Sequence, residues 1–228
     1  MQATLPLREV VRVTPRTVLL RLALEGVAFP FEAGQAVMAG VPGQAARKPY
    51  AIACAPTLAS RLGLLELLVQ IDATSPEPHL EDLTAGARLD IEGPFGGLRL
   101  PAPAGKAPRL FVAGGTGIAP LRALIWETLL AESPPPVTLL HSARSRDDLA
   151  FAEEFAALEE AGRLRYLVTT TRERHADGDG RRLDATRLRE ALPSPDARCY
   201  VCGPEAFVRD VTAALVTIGI SADRIAGQ

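Results

Sequence analysis

The sequence is poor in cysteine and histidine, the residues that build disulfide frameworks and metal sites. Its three cysteines in 228 residues are too few for a disulfide framework and suit a reducing cytoplasm. Neither His79 nor His141 has a second ligand at metal-binding spacing, so no metal site is expected. No cysteine cluster is present to hold an iron–sulfur centre. Lysine occurs only at Lys48 and Lys106; arginine supplies the remaining positive charge, which makes any one arginine a weak clue. A formal net charge of −2 gives no reason to expect nucleic acid or an anionic membrane as partner. No run is long and apolar enough to span a bilayer, and the opening Met1-Gln2-Ala3-Thr4-Leu5-Pro6-Leu7-Arg8 lacks the basic-then-apolar order of a signal peptide.

What is present is core material. Hydrophobic residues make up 47% of a chain long enough for one large domain or two small ones. Residues 8–14, 17–24, 35–41, 50–55, 64–71 and 88–92 read as short strands separated by turn residues, with a short helix at 78–83. Six strands at this spacing predict a small antiparallel barrel over residues 1–101. A stiff segment without apolar period, Pro101-Ala102-Pro103-Ala104-Gly105-Lys106-Ala107-Pro108, marks a boundary. Beyond it, strands at 110–113, 137–141, 165–170 and 199–202 alternate with helices at 118–131, 147–161, 184–192 and 205–218, and a last strand is expected at 224–226. Such alternation predicts an α/β domain over residues 108–228, its parallel sheet covered on both faces.

The most informative stretch is Phe111-Val112-Ala113-Gly114-Gly115-Thr116-Gly117-Ile118-Ala119-Pro120, a buried strand that stops at glycines and opens a helix. Glycines allow close approach of a ligand to the backbone, and a helix N-terminus offers free N–H groups to a phosphate. A plain strand–turn–helix junction would explain the same glycines. The motif is neither Gly-x-Gly-x-x-Gly, because Pro120 takes the last position, nor a P-loop. Cys199 and Cys202 form a formal Cys-x-x-Cys, but positions three apart on a strand face opposite ways, which argues against a redox or metal pair.

Four segments in order carry a family likeness: Lys48-Pro49-Tyr50-Ala51-Ile52-Ala53, Gly93-Pro94-Phe95-Gly96, Gly114-Gly115-Thr116-Gly117-Ile118-Ala119-Pro120 and Cys202-Gly203-Pro204. With His141-Ser142-Ala143-Arg144 and Asp148-Leu149, the set resembles the ferredoxin-NADP reductase superfamily, in its flavin reductase-like branch. The resemblance implies a barrel that holds a flavin, FAD or FMN, and an α/β domain that holds NAD(P)H. It further implies hydride passing from nicotinamide to flavin and electrons going on to a separate acceptor protein. By resemblance Cys202 lies near the reacting nicotinamide carbon, and Thr116 with the amides of Gly115 and Gly117 lines the pyrophosphate and nicotinamide. Gly203 and Pro204 complete that turn. Tyr50, flanked by Lys48, Pro49 and Ala51, stacks on the flavin, and Gly96 lies near it. Arg144 and Arg146, with Arg172 and Arg174, follow the second and third sheet strands, where guanidinium groups suit an adenosine 2′-phosphate; solvated surface arginines fit equally well, and the choice between NADH and NADPH stays open.

The chain departs from the family pattern at three places. Lys48 and Ala51 occupy the arginine and serine places of the flavin motif, and alanine has no donor for flavin N5. The flavin-phosphate segment Thr74-Ser75-Pro76-Glu77-Pro78-His79 lacks the usual glycine, places Glu77 near phosphate and loses an amide at Pro78, leaving Ser75 as partial substitute. The terminal aromatic of plant-type members is absent from Ile225-Ala226-Gly227-Gln228. Two alternatives follow: a flavin reductase that treats flavin as a dissociable substrate, and a flavin-poor subunit that keeps the fold for electron transfer or binding.

Overall fold

Period-two patterning in the first hundred residues yields six antiparallel strands: β1 (Gln2–Thr14), β2 (Thr17–Ala23), β3 (Ala36–Gly40), β4 (Lys48–Ala51), β5 (Leu64–Gln70) and β6 (Arg88–Phe95). In this computed structural model residues 1–71, 74, 79–101, 105–173 and 183–228 are described. The strand order is β4-β3-β6-β1-β2-β5. The two ends of that order meet through an Ile52–Leu67 bridge and an Ala53 N–H to Glu66 carbonyl bond of 2.8 Å, closing the sheet into a barrel. Leu5, Leu7, Leu20, Leu22, Val37, Ile52, Leu65, Leu67, Leu89 and Ile91 fill its interior.

Several boundaries differ from the sequence expectation. β1 begins six residues earlier than expected because it serves two partners, with Gln2 to Pro6 pairing β6 and Leu7 to Thr14 pairing β2. β6 does not stop at Gly93-Pro94: it continues to Phe95 through a register irregularity opposite Ala36 and Met38, and that bulge accommodates a proline without a donor. A helix unforeseen in the sequence, α1 (Pro56–Leu62), starts with proline and ends at Gly63 in the left-handed region, φ 65°. The short helix expected at 78–83 is one 3₁₀ turn, Leu80–Asp82.

After the proline-rich segment the strands are parallel: β7 (Arg109–Gly114), β8 (Val137–Ala143), β9 (Arg165–Thr170), β10 (Arg198–Cys202) and β11 (Ile225–Gly227), in the order β11-β10-β7-β8-β9. The intervening helices are α2 (Ile118–Leu129), α3 (Ala152–Glu160), α4 (Ala185–Ala191) and α5 (Glu205–Thr217). Alternation along the strands splits the core in two. Phe111, Ala113, Leu139 and Cys202 pack with α2 and α3, whereas Leu110, Val112, Leu140, Cys199 and Val201 pack with α4 and α5. Cys199 and Cys202 therefore lie on opposite faces. From β7 the chain steps to β8 and β9, then crosses back to β10, so the order reverses between β7 and β10. In open α/β sheets ligands bind outside the carboxyl ends of the strands at such a switch point.

α3 starts at Ala152 rather than 147, because residues Arg146–Asp148 form a 3₁₀ turn and Phe151 takes a positive φ of 62° that breaks the helical run. That conformation puts the Phe151 ring 4.5 Å beneath the Arg122 guanidinium. Arg122, midway along α2, joins the two sheets. Its Nε donates to both Glu154 oxygens at 2.8 and 3.0 Å, and Nη1 donates to the Ala53 carbonyl at 2.7 Å and to Glu66 at 2.6 Å. Glu66, on the barrel's β5, also accepts from Arg21 at 2.9 Å.

Candidate active site between the two sheets

The glycines that end β7 and β10 hold the two turns against each other. A Cβ on Gly117 would lie 2.2 Å from the Cys202 carbonyl oxygen, and one on Gly203 would lie 2.8 Å from the Phe207 ring and 3.1 Å from Gly114 Cα. A Cβ on Gly114 would meet Phe207 at 2.9 Å. These three glycines answer to backbone packing between neighbouring strand ends. Gly115 is different: its φ is +56° and nothing lies within 4 Å of the added atom, so it faces open space. The sequence could not separate the two demands, close packing and ligand access, because both select glycine.

That open space is a cleft of about 700 Å³ between the barrel and the parallel sheet. This falls within the roughly 300–1,000 Å³ usual for small-molecule sites. On the sheet side it is lined by the turn Gly115–Gly117 and by Ala119 and Pro120 of the first turn of α2, so that helix's N-terminus opens onto it. Cys202, Gly203 and Pro204 line the adjoining wall, and Ser142, Ala143 and Arg144 continue it past the end of β8. On the barrel side stand Pro49, Tyr50 and Ala51 of β4, Leu68 and Gln70 of β5, and Thr14, Arg16 and Thr17 of the β1–β2 turn.

Ten of the residues singled out in the sequence thus meet in one cleft: Pro49, Tyr50, Ala51, Gly115, Thr116, Gly117, Arg144, Cys202, Gly203 and Pro204. Lys48, Gly96 and Arg146 lie outside its lining. Gly96 is nonetheless close to it, since an added Cβ would come 4.0 Å from Nε2 of Gln228, a lining residue. The Arg146 amide donates to the Glu173 carboxylate at 3.1 Å. The Arg172 amide donates to the Arg144 carbonyl at 3.0 Å, tying the loops after β8 and β9 together. Ser75, Glu77, Pro78, Arg174, His175, Arg181 and Arg182 lie outside the described residues. Residues unforeseen in the sequence also line the cleft, notably Phe207, which fills the space the glycines leave, and Arg16, which pairs at 3.4 Å with Asp148 of the segment noted after β8.

Two titratable side chains of the cleft lining, Cys202 on the sheet side and Tyr50 on the barrel side, are neutral at pH 7. Cys202 is buried, and that burial, offset in part by the Gly203 amide, pushes its thiol up to about 11, so it is a thiol at neutral pH. Burial, with the Glu81 carboxylate adding to it, pushes the Tyr50 hydroxyl up to about 12. Behind the cleft, desolvation takes the fully buried His141 down to about 3, so the imidazole is neutral; its Nδ1 lies 3.2 Å from the Tyr166 hydroxyl.

A glycine turn at a helix N-terminus, open to a cleft that also carries an arginine, suits a phosphate-bearing ligand. A half-buried tyrosine ring opposite, beside Pro49 and Leu68, suits a flat aromatic one.

Comparison with known proteins agrees with the geometry. Residues 111–213 match the family model of the oxidoreductase NAD-binding domain. Ferredoxin–NADP reductase B of Sorangium cellulosum is 36% identical over 151 residues, covering 65% of this chain and 61% of that protein. The ferredoxin–NAD(+) reductase component of the Xanthobacter autotrophicus alkene monooxygenase system is 30% identical over 233 residues, covering 96% of this chain and 69% of its own length. Among solved structures, the Amycolatopsis cytochrome P450 reductase GcoB superposes with a TM-score of 0.86 at 29% identity, over all of this chain and 69% of that one. The chain spans about three fifths of the Sorangium relative. Barrel, doubly covered parallel sheet and the relatives that share both show that this chain belongs to the ferredoxin–NADP reductase superfamily.

Proposed function

We propose that the chain is an NAD(P)H-dependent flavin oxidoreductase that passes hydride from nicotinamide to a flavin and electrons on to a separate acceptor protein. One observation carries the reading: the glycine turns of β7 and β10 and the aromatic edge of β4 line a single cleft. In this reading residues 1–101 form the flavin side and residues 108–228 the nucleotide side. The relatives named as ferredoxin reductases and as a monooxygenase reductase component support an acceptor protein as partner. Three free, buried cysteines suit a reducing compartment such as the cytoplasm.

A bound flavin, FAD in the first instance, supplies the conversion of a two-electron hydride into single electrons. The protein's part is to bind, orient and exclude water. Gly115, Thr116 and the N-terminus of α2 would hold the pyrophosphate, and Arg144, just past the end of β8 on the same cleft wall, would be available to the adenosine ribose or its substituent. Cys202, an uncharged thiol, packs on the reacting ring without competing as a nucleophile. Tyr50 stacks on the flavin, with Pro49 and Ala51 shaping the edge. The Ala51 side chain has no hydrogen-bond donor to offer flavin N5.

The test is turnover. The purified chain, given NADPH or NADH, FAD or FMN and an artificial one-electron acceptor, should oxidise the nucleotide in a flavin-dependent way. Absence of oxidation with every nucleotide and flavin pair would overturn the reading.

A further inference from the structure

Arg16 is the one cation that the barrel contributes to the cleft lining among the described residues. It stands in the β1–β2 turn, and its Nε lies 3.4 Å from the Asp148 carboxylate, which belongs to the loop after β8. The pair therefore spans the cleft from barrel to sheet. The Arg16 side chain is half exposed, 51%, against 14% for that of Asp148. Ion pairs with an exposed member are weak, so this one yields readily to a better anion. The arginine's backbone is fixed without its side chain: its amide donates to Thr14 Oγ1 at 3.1 Å, and its carbonyl accepts from the Ile71 amide at 2.8 Å. Asp148 is likewise held, accepting from Ser145 Oγ at 2.9 Å. The lining that the pair shares runs from Gly115 and Thr116 to Ser142 and Arg144, the line along which a dinucleotide would lie if the function proposed above is right.

Resting on that reading, we propose that Arg16 is a nucleotide-positioning residue: Asp148 holds its guanidinium at the edge of the cleft until the dinucleotide's pyrophosphate displaces the carboxylate. A guanidinium exchanges a single carboxylate for a doubly charged group whose oxygens match its fork. The guanidinium then reaches the nucleotide from a fixed β1–β2 turn, so that both halves of the protein grip one ligand. An arginine serving only as a structural tie between barrel and sheet would have no such preference.

The two partners of the pair give opposite expectations. Arg16→Gln should weaken binding of NADPH and of ADP-ribose, which shares the pyrophosphate, about tenfold each by calorimetric titration of the full chain. It should also flatten the salt dependence of that binding, because one screened charge contact is gone. Asp148→Asn, which keeps an acceptor for Ser145, should tighten both ligands several-fold, since it releases Arg16 and removes a repelling charge. A structural tie would make both variants weaker binders, and that result overturns the proposal. So does an Arg16→Gln protein that binds both ligands like wild type, or one that loses NADPH affinity alone, which would move the contact to the 2′-phosphate. If wild type itself binds neither ligand, the parent reading fails and this inference with it; binding by wild type with unchanged Arg16→Gln sinks the inference only.

Discussion

Replacing Arg122 by methionine should destabilise the protein by about 3–5 kcal/mol, the range for removing one partner of a buried ion pair. The magnitude follows from what is left behind. The Glu66 and Arg122 side chains are only 8% and 10% exposed, and both Glu66 and the Ala53 carbonyl lose a donor. Glu154 loses two hydrogen bonds from Nε, and the Phe151 ring loses the cation above it. Burial alone would lower the Arg122 pKa, but Glu154 and then Glu66 outweigh it, so the guanidinium stays charged at every pH at which the protein is folded. For a chain of this size the loss corresponds to a fall in Tm of roughly 6–20 °C. Urea unfolding followed by far-ultraviolet circular dichroism would measure it. Arg122→Lys should recover only part, because one ammonium cannot reach Ala53, Glu66 and Glu154 together as the fork does. Adding Glu66→Gln to Arg122→Met should cost less than the sum of the two single changes, since the orphaned charge is then gone. Glu9→Gln serves as control: its pair with Arg21 is 53% and 35% exposed and should be worth about 0–1 kcal/mol. A loss below about 1 kcal/mol for Arg122→Met, or full additivity with Glu66→Gln, would refute the view that this network fastens barrel to sheet.

Three further outcomes are expected. Burial pushes the His141 imidazole down to about 3 from an ordinary value of 6.5, so the unfolded chain takes up a proton that the native one refuses, and stability falls as pH drops below 6.5. Between pH 7 and pH 5 wild type should lose about 2 kcal/mol more than His141→Leu in urea titrations; parallel pH profiles would contradict this. Gly117→Ala sets a methyl 2.2 Å from the Cys202 carbonyl oxygen, a backbone atom that cannot swing away. It should cost about 1–3 kcal/mol and, by parting the two turns, weaken nucleotide binding as well; wild-type stability and affinity would show that the turns are not packed as described. Cys202→Ala should slow flavin reduction in stopped-flow measurements more than it weakens NAD(P)H binding; equal losses, or collapse of folding, would make Cys202 a core residue only.

The candidate site was legible in the sequence where a distinctive residue or turn ends an apolar run or sits inside a motif. Gly115–Gly117 after an apolar run, Cys202-Gly203-Pro204 after another, and Tyr50 in its motif come together in the cleft. The helix Pro56–Leu62 carried its own signal, proline at the start and glycine past the end, but at seven residues it is too short for helix periodicity to show. The start of α3 carried none, because Phe151 adopts a positive φ under the pull of Arg122 from another helix. Arg122 had one visible mark, a charge inside a helix otherwise buried nearly all round.

Sequence alone determined the order of elements, the two patterns of hydrophobicity and the glycines at the strand ends, since these are local consequences of backbone sterics and side-chain alternation. Tertiary structure decided which glycines serve packing and which face a ligand. It also decided that Glu66, Arg122 and Glu154, 56 and 32 positions apart, share one buried network, and that Arg16 meets Asp148 across the cleft. Ion pairs act through space on groups whose spacing along the chain carries no period, so no window of sequence contains them.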